Sequence, residues 1–176
     1  MIAVWDRAVR VLHWALVASV ALAWVTTEWA VGWHRPLGYI ALAIVGVRLA
    51  WGFFGSPYAR FRQFMRGPVA TWRHARLVLG GREPRYIGHN PLGAWMVTAL
   101  MACVGALALT GWLYRTDRFW GDETIEAIHV GVAWTFVLLI VIHIVGVVHA
   151  SRRHRENLVV SMIDGRKRGP RNDDVA

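Results

Sequence analysis

Ile125–Ala150 reads IEAIHVGVAWTFVLLIVIHIVGVVHA. Apart from Glu126 and three histidines, it is an almost unbroken apolar run. Its 26 residues exceed the ~20 a helix needs to cross a hydrocarbon core ~30 Å thick. His129 and His143 stand fourteen residues apart in it. In an α-helix that spacing is nearly four turns, so the two imidazoles point within about 40° of each other, ~21 Å apart along the axis. Each then lies near one edge of the core. Histidine inside a membrane helix is costly and marks a functional position. Two at this spacing predict two cofactors stacked across the bilayer.

Three more apolar segments accompany it: Val9 to Thr27, Pro36 to Phe54 and Leu92 to Tyr114. The segment from Pro36 is the shortest and carries Arg48. Arg7 and Arg10 before the first resemble a signal peptide, but His13 and Trp14 interrupt the apolar stretch and no small-x-small site follows, so an uncleaved first helix is expected. The predicted fold is all-α, an integral-membrane four-helix bundle. The expected division is a membrane domain over 1–164, with a basic loop at about 55–90, and a polar, mobile C-terminal tail over 165–176.

Charge gives the helices a direction. The loop holds Arg60, Arg62, Arg66, Arg73, Arg76, Arg82 and Arg85 against Glu83 alone. The tail holds Arg152, Arg153, Arg155, Arg166, Lys167, Arg168 and Arg171. The two other connections are short and carry Glu28, Asp117, Asp122, Glu123 and Glu126 with only Arg35, Arg115 and Arg118. Basic segments stay in the cytoplasm, so both termini and the basic loop are expected there. Trp24, Trp29, Trp33 and Trp120 then fall near the outer interface, where amphipathic rings are favoured. Asn90-Pro91 is a helix-start signal, and Val69 to Leu79 has the mixed character of a short interfacial helix.

Composition excludes several classes. The chain has 176 residues, is 56% hydrophobic and contains eleven Trp, with mean hydropathy +0.36; a soluble domain does not look like this. The net charge of +9 sits beside apolar runs, which points to membrane orientation and anionic lipid rather than nucleic acid. Cys103 is the one cysteine. An intrachain disulfide, a CxxC metal site and covalent c-type haem are therefore excluded, and Cys103 reads as a packing residue.

Depth pairs the histidines. His13 lies about one turn inside the cytoplasmic end of the first helix, and His143 lies at a matching depth in the fourth. His34 opens the second helix on the outer side, and His129 lies one turn into the fourth from that side. Haem explains two such pairs: its iron accepts two trans nitrogen ligands, and its flat ring fits between helices. With both axial positions filled, one-electron transfer is the expected chemistry. Arg48, fourteen residues after His34, reaches the inner depth and is a candidate partner for a haem propionate. Gly93, Gly105, Ala108 and Gly111 give the third helix small surfaces for close approach of a helix or a porphyrin. His74 and His154 read as solvated, His89 as an aid to starting the third helix, and His149 as an interfacial residue that could border a quinone site.

These stretches carry a family resemblance. Trp5-Asp6-Arg7 followed by His13-Trp14, His34-Arg35-Pro36-Leu37-Gly38-Tyr39, Arg48-Leu49-Ala50-Trp51-Gly52-Phe53, Tyr58-Ala59-Arg60-Phe61, Gly88-His89-Asn90-Pro91-Leu92-Gly93, Thr110-Gly111 and the tail from Arg155-Glu156-Asn157-Leu158 through Gly165-Arg166-Lys167 resemble the bacterial cytochrome b561 and nickel–iron hydrogenase cytochrome b superfamily over nearly the whole chain. The resemblance implies four transmembrane helices in the bacterial cytoplasmic (inner) membrane and two non-covalent b-type haems with bis-histidine ligation. By that likeness His13 and His143 hold the inner haem, and His34 and His129 the outer one.

It also implies electron exchange between the quinone pool and a periplasmic redox partner, a c-type cytochrome or a dehydrogenase such as hydrogenase. Asp6, Arg7, Tyr58 and His149 are the candidate quinone residues. Two alternatives carry different expectations. A superoxide:quinone oxidoreductase would use Arg35, Arg115 and Arg118 to attract superoxide, and a non-redox membrane anchor or transporter component would use its histidines to relay protons. Whether the chain is an enzyme or an electron-transfer subunit turns on which of these holds.

Overall fold

The computed structural model describes residues 1–172, 174 and 175. Four long helices dominate: α1 (Arg7–Trp29), α2 (Val31–Phe54), α5 (Pro91–Leu113) and α6 (Glu123–His154). All four are long and apolar enough to cross a membrane. Between α2 and α5 lie a 3-10 turn (Pro57–Ala59), a single turn α3 (Phe61–Phe64) and α4 (Pro68–Leu79); α7 (Leu158–Asp164) follows α6.

Three of the long helices begin where the sequence offers a cap. Asp6 accepts from the Val9 amide at 2.8 Å, ahead of α1. Asn90 accepts from the Gly93 amide at 2.7 Å, as the Asn90-Pro91 pair predicts. Asp122 accepts from the amides of Thr124 and Ile125 at 2.8 and 3.0 Å, starting α6. These carboxylate and amide oxygens satisfy first-turn N–H groups that have no partner in the helix. Within the spans, Ser19, Thr98, Thr110 and Thr135 each donate to the carbonyl four residues back. Lipid offers no water to a hydroxyl, so it turns to its own helix.

All four long helices start earlier than expected, α2 by the most. α2 begins at Val31 rather than Pro36, so His34 lies in its first turn and Pro36 falls inside it. α6 begins at Glu123 and runs on to His154.

The described residues form two compact bodies. The first comprises Met1–Arg10, Ala50–Thr98 and Ile142–Ala176. Its core is Val4, Trp5, Val9, Ala59 and Ile87, with Ile2, Tyr58 and Met162 packed against it. The stretch after Gly165, expected to be a mobile polar tail, is docked here. Arg166–Lys167 (β2) pairs antiparallel with Ile2–Ala3 (β1). Further on, the Val175 amide donates to the Arg85 carbonyl and the Ile87 amide to that of Val175. Gly165 makes the turn that allows this. It adopts φ 82°, where glycine has no steric penalty. A Cβ there would stand 2.5 Å from the Trp5 carbonyl oxygen.

Arg85 anchors the docking. Its guanidinium is 5% exposed and bonds Glu156 at 2.8 Å and Asp174 at 2.5 Å. α4 is the amphipathic helix foreseen, with Val69, Trp72 and Leu79 exposed. His74, expected to be solvated, is instead 3% exposed, with its ring against Tyr86 at 5.2 Å. His89 packs its ring between Trp5 and Phe64.

The second body comprises Val11–Leu49 and Ala99–Val141 and is built from all four long helices. Trp24 on α1 packs edge-on against Trp134 on α6, ring centres 5.4 Å apart. Its buried residues are mostly small or slender: Ser19, Ala41, Val45, Met101, Val104 and Thr110, with Phe136. Such residues let helix backbones approach closely where lipid supplies no hydrophobic drive between helices.

Candidate functional site

Within the second body, two of the predicted histidines face each other. His34 comes from the first turn of α2 and His129 from the second turn of α6. Their ring centres are 6.3 Å apart and their planes meet at 71°.

The outer nitrogens of both rings are already engaged. His34 donates from Nδ1 to the Ala23 carbonyl on α1 at 2.8 Å. A carbonyl can only accept, so the proton sits on Nδ1 and the Nε2 lone pair is free of it. His129 Nδ1 lies 2.8 Å from the Thr110 hydroxyl on α5. Each imidazole thus has its Nδ1 held by a neighbouring helix, the arrangement that fixes a metal-binding histidine's tautomer and ring orientation.

The donor set fits an iron held by two nitrogens. Two nitrogen–metal bonds of about 2.0–2.1 Å each fit within the 6.3 Å between ring centres. The small surface of α5 adjoins this place: a Cβ added at Gly111 would lie 3.5 Å from His129 Cε1. Beside half-buried Gly38 and Gly105 a Cβ would meet nothing within 4 Å.

The other predicted residues are distributed as follows. His13 sits on α1 in the second body, its ring edge-on to Trp14 at 5.1 Å. Arg48 is on α2 in the same body, and His143 is on α6 in the first; both are half-buried. Tyr58 packs against the core around Trp5, and Asp6 lies in the same body. Asp6 is committed to structure: besides capping α1 it accepts from Trp51 Nε1 and Ser56 Oγ. Burial pushes its carboxyl up, and the hydrogen bonds from Ser56, Trp51 and the helix start outweigh this and hold it below the usual aspartate value. Arg7 is exposed.

His149 is in the first body, its Nε2 3.4 Å from the buried Glu83 carboxylate, which Arg153 also reaches at 3.3 Å. Val145, Val148, His149, Arg152 and Arg153 line a shallow surface hollow of about 450 Å³. Sequence reasoning missed Thr110 and the Ala23 carbonyl as partners of the facing histidines. The one available signal was a hydroxyl near the end of an otherwise apolar helix, at the depth of His129.

Comparison with known proteins gives the family. The family pattern described as prokaryotic cytochrome b561 matches residues 4–165. A probable Ni/Fe-hydrogenase B-type cytochrome subunit of Rhodobacter capsulatus is 24% identical, with 93% of this chain and 80% of that protein covered. A protein of the same description from Azotobacter vinelandii is 26% identical, with 92% of this chain and 86% of that protein covered. No solved structure matches significantly.

Proposed function

Because the chain belongs to the prokaryotic cytochrome b561 family, and is thus a multi-pass bacterial membrane b-type cytochrome that transfers electrons, we propose that it works between the quinone pool and a redox protein on the periplasmic side. The observation that carries the site assignment is the facing of His34 and His129, each with Nδ1 engaged and Nε2 free to bind iron. On this reading His34 and His129 hold the outer haem b. His34 and His129 would hold its iron between two imidazoles, and the chemistry it would supply there is one-electron transfer.

An inner haem held by His13 and His143 is supported by their matching depth in the sequence and by the family likeness, with Arg48 at that depth toward a propionate. Quinone is the second substrate in this reading, with His149 the strongest of its candidate residues, since Asp6 is occupied in capping and bracing α1.

Orientation follows from charge. Sixteen of the 20 basic residues lie in the first body and four in the second, so the first is the cytoplasmic one. The relatives are described as hydrogenase cytochrome subunits, and this chain covers four-fifths or more of their length. That favours a dehydrogenase-type redox protein as the outer partner.

The test is haem content and redox difference spectra of purified single variants. His34→Ala or His129→Ala is expected to remove one spectral component, and His13→Ala or His143→Ala the other. Variants that all retain both components would refute the assignment.

A further inference from the structure

Thr110 has a single hydroxyl proton, and the acceptors around it decide where it goes. The hydroxyl donates to the Ala106 carbonyl at 2.8 Å, with the Leu107 carbonyl at 3.2 Å. The side of the oxygen that faces His129 Nδ1, 2.8 Å away, is therefore left with lone pairs. Thr110 accepts there, and His129 Nδ1 donates. The residue is 7% exposed, so water does not compete for the contact.

We infer that Thr110 is a positioning residue for His129, holding the imidazole in the Nδ1–H tautomer with Nε2 directed at iron, and that it sets the redox potential of the outer site. This rests on the proposed ligation by His34 and His129. The physical reason is that an acceptor on the distal nitrogen makes an imidazole a stronger donor to its metal. A stronger donor favours the more highly charged ferric state and lowers the potential.

The two ligands differ in how they are held. The acceptor for His34 is a main-chain carbonyl, which no side-chain substitution deletes. His129 has a side-chain acceptor, the Thr110 hydroxyl, beside the Leu107 carbonyl, so it is the position where the couple is adjustable. A packing role alone would need only the shape of Thr110, and valine has nearly that shape without the acceptor.

The experiment compares full-length protein with Thr110→Val and Thr110→Ser, purified in detergent. It reads haem per protein, optical redox titration and the ferric spin-resonance spectrum. Thr110→Val is expected to weaken retention of the outer haem by 10- to 100-fold and to raise its midpoint potential. A tenfold greater loss of ferric than of ferrous affinity corresponds to about 59 mV for one electron. Thr110→Ser restores both values. Complete loss of the outer haem in the valine variant, restored by serine, supports the same role.

A valine variant with wild-type potential, spectrum and haem content overturns it, provided His129→Ala has lost the outer haem. If His34→Ala and His129→Ala both keep that haem, the ligand assignment fails first and the role of Thr110 falls with it.

Discussion

Arg85 clamps Glu156 with two guanidinium nitrogens, Nη2 to Oε1 at 2.8 Å and Nε to Oε2 at 3.1 Å. The two residues are 71 apart in sequence, and Arg85 also reaches Asp174. Both arginine and carboxylates are nearly inaccessible, at 5% for Arg85, 9% for Glu156 and 3% for Asp174. Arg85→Ala leaves two buried carboxylates without their countercharge, and about 3–5 kcal/mol of stability is expected to go with it. Arg85→Lys cannot reproduce the fork and recovers only part. Burial pushes the Glu156 carboxyl up, but the bonds from Arg85 and the Arg168 amide hold it below its ordinary value of 4.5. The clamp is therefore at full strength above that value and weakens as pH falls below it. Hydrogen exchange of residues 165–172 at neutral and acidic pH checks both statements.

Lys167 gives a pH effect of the same sense in an alkaline window. It is 4% exposed, its ammonium 5.2 Å from the Trp5 ring centre, and burial lowers its pKa from 10.5 to about 8. Between those two values the unfolded chain binds the proton that the folded chain has released. Stability must rise with pH through that window, by on the order of 3 kcal/mol at most. Thermal unfolding in detergent at pH 7.5 and 9.5 is expected to show the gain in the native protein. Lys167→Met, with nothing to titrate, should be flat across the same interval.

Gly111 separates tolerance from displacement at the facing histidines. An added Cβ would make ordinary contact with His129, 3.5 Å from Cε1 and 3.8 Å from Nδ1. Gly111→Ala is thus expected to keep the outer haem. In Gly111→Leu the further carbons have only the imidazole to push against, and the outer haem should be lost by at least tenfold in retention while the other component persists. A haem assay with difference spectra reads both variants. Equal haem content in the alanine and leucine variants would show that this face of α5 does not border the site.

The facing histidines were legible because their cost is so high in an apolar helix. His34 and His129 could be matched by depth before any contact was known, and Gly111 was already marked by its small surface. His74 was not legible. A histidine between Arg73 and Ala75 in a basic loop looks solvated, and only the packing of Tyr86 against it shows otherwise. The C-terminal stretch misled for a related reason. Lys167 and Arg168 read as part of a solvated basic run because the acids that face them, Glu156 and Asp174, gather only around Arg85.

By itself the sequence determined the membrane class, the four spans, the charge asymmetry and the residue types able to hold iron. Each follows from local chemistry: apolar length, basic clustering and imidazole in hydrocarbon. The tertiary structure decided which nitrogen of His34 and His129 is free, because that depends on acceptors brought in by other helices, Ala23 on α1 and Thr110 on α5. It also decided that the polar end of the chain is docked. Hydrogen bonds and buried ion pairs between distant residues have no periodicity to announce them, and they exist only once the chain has closed around them.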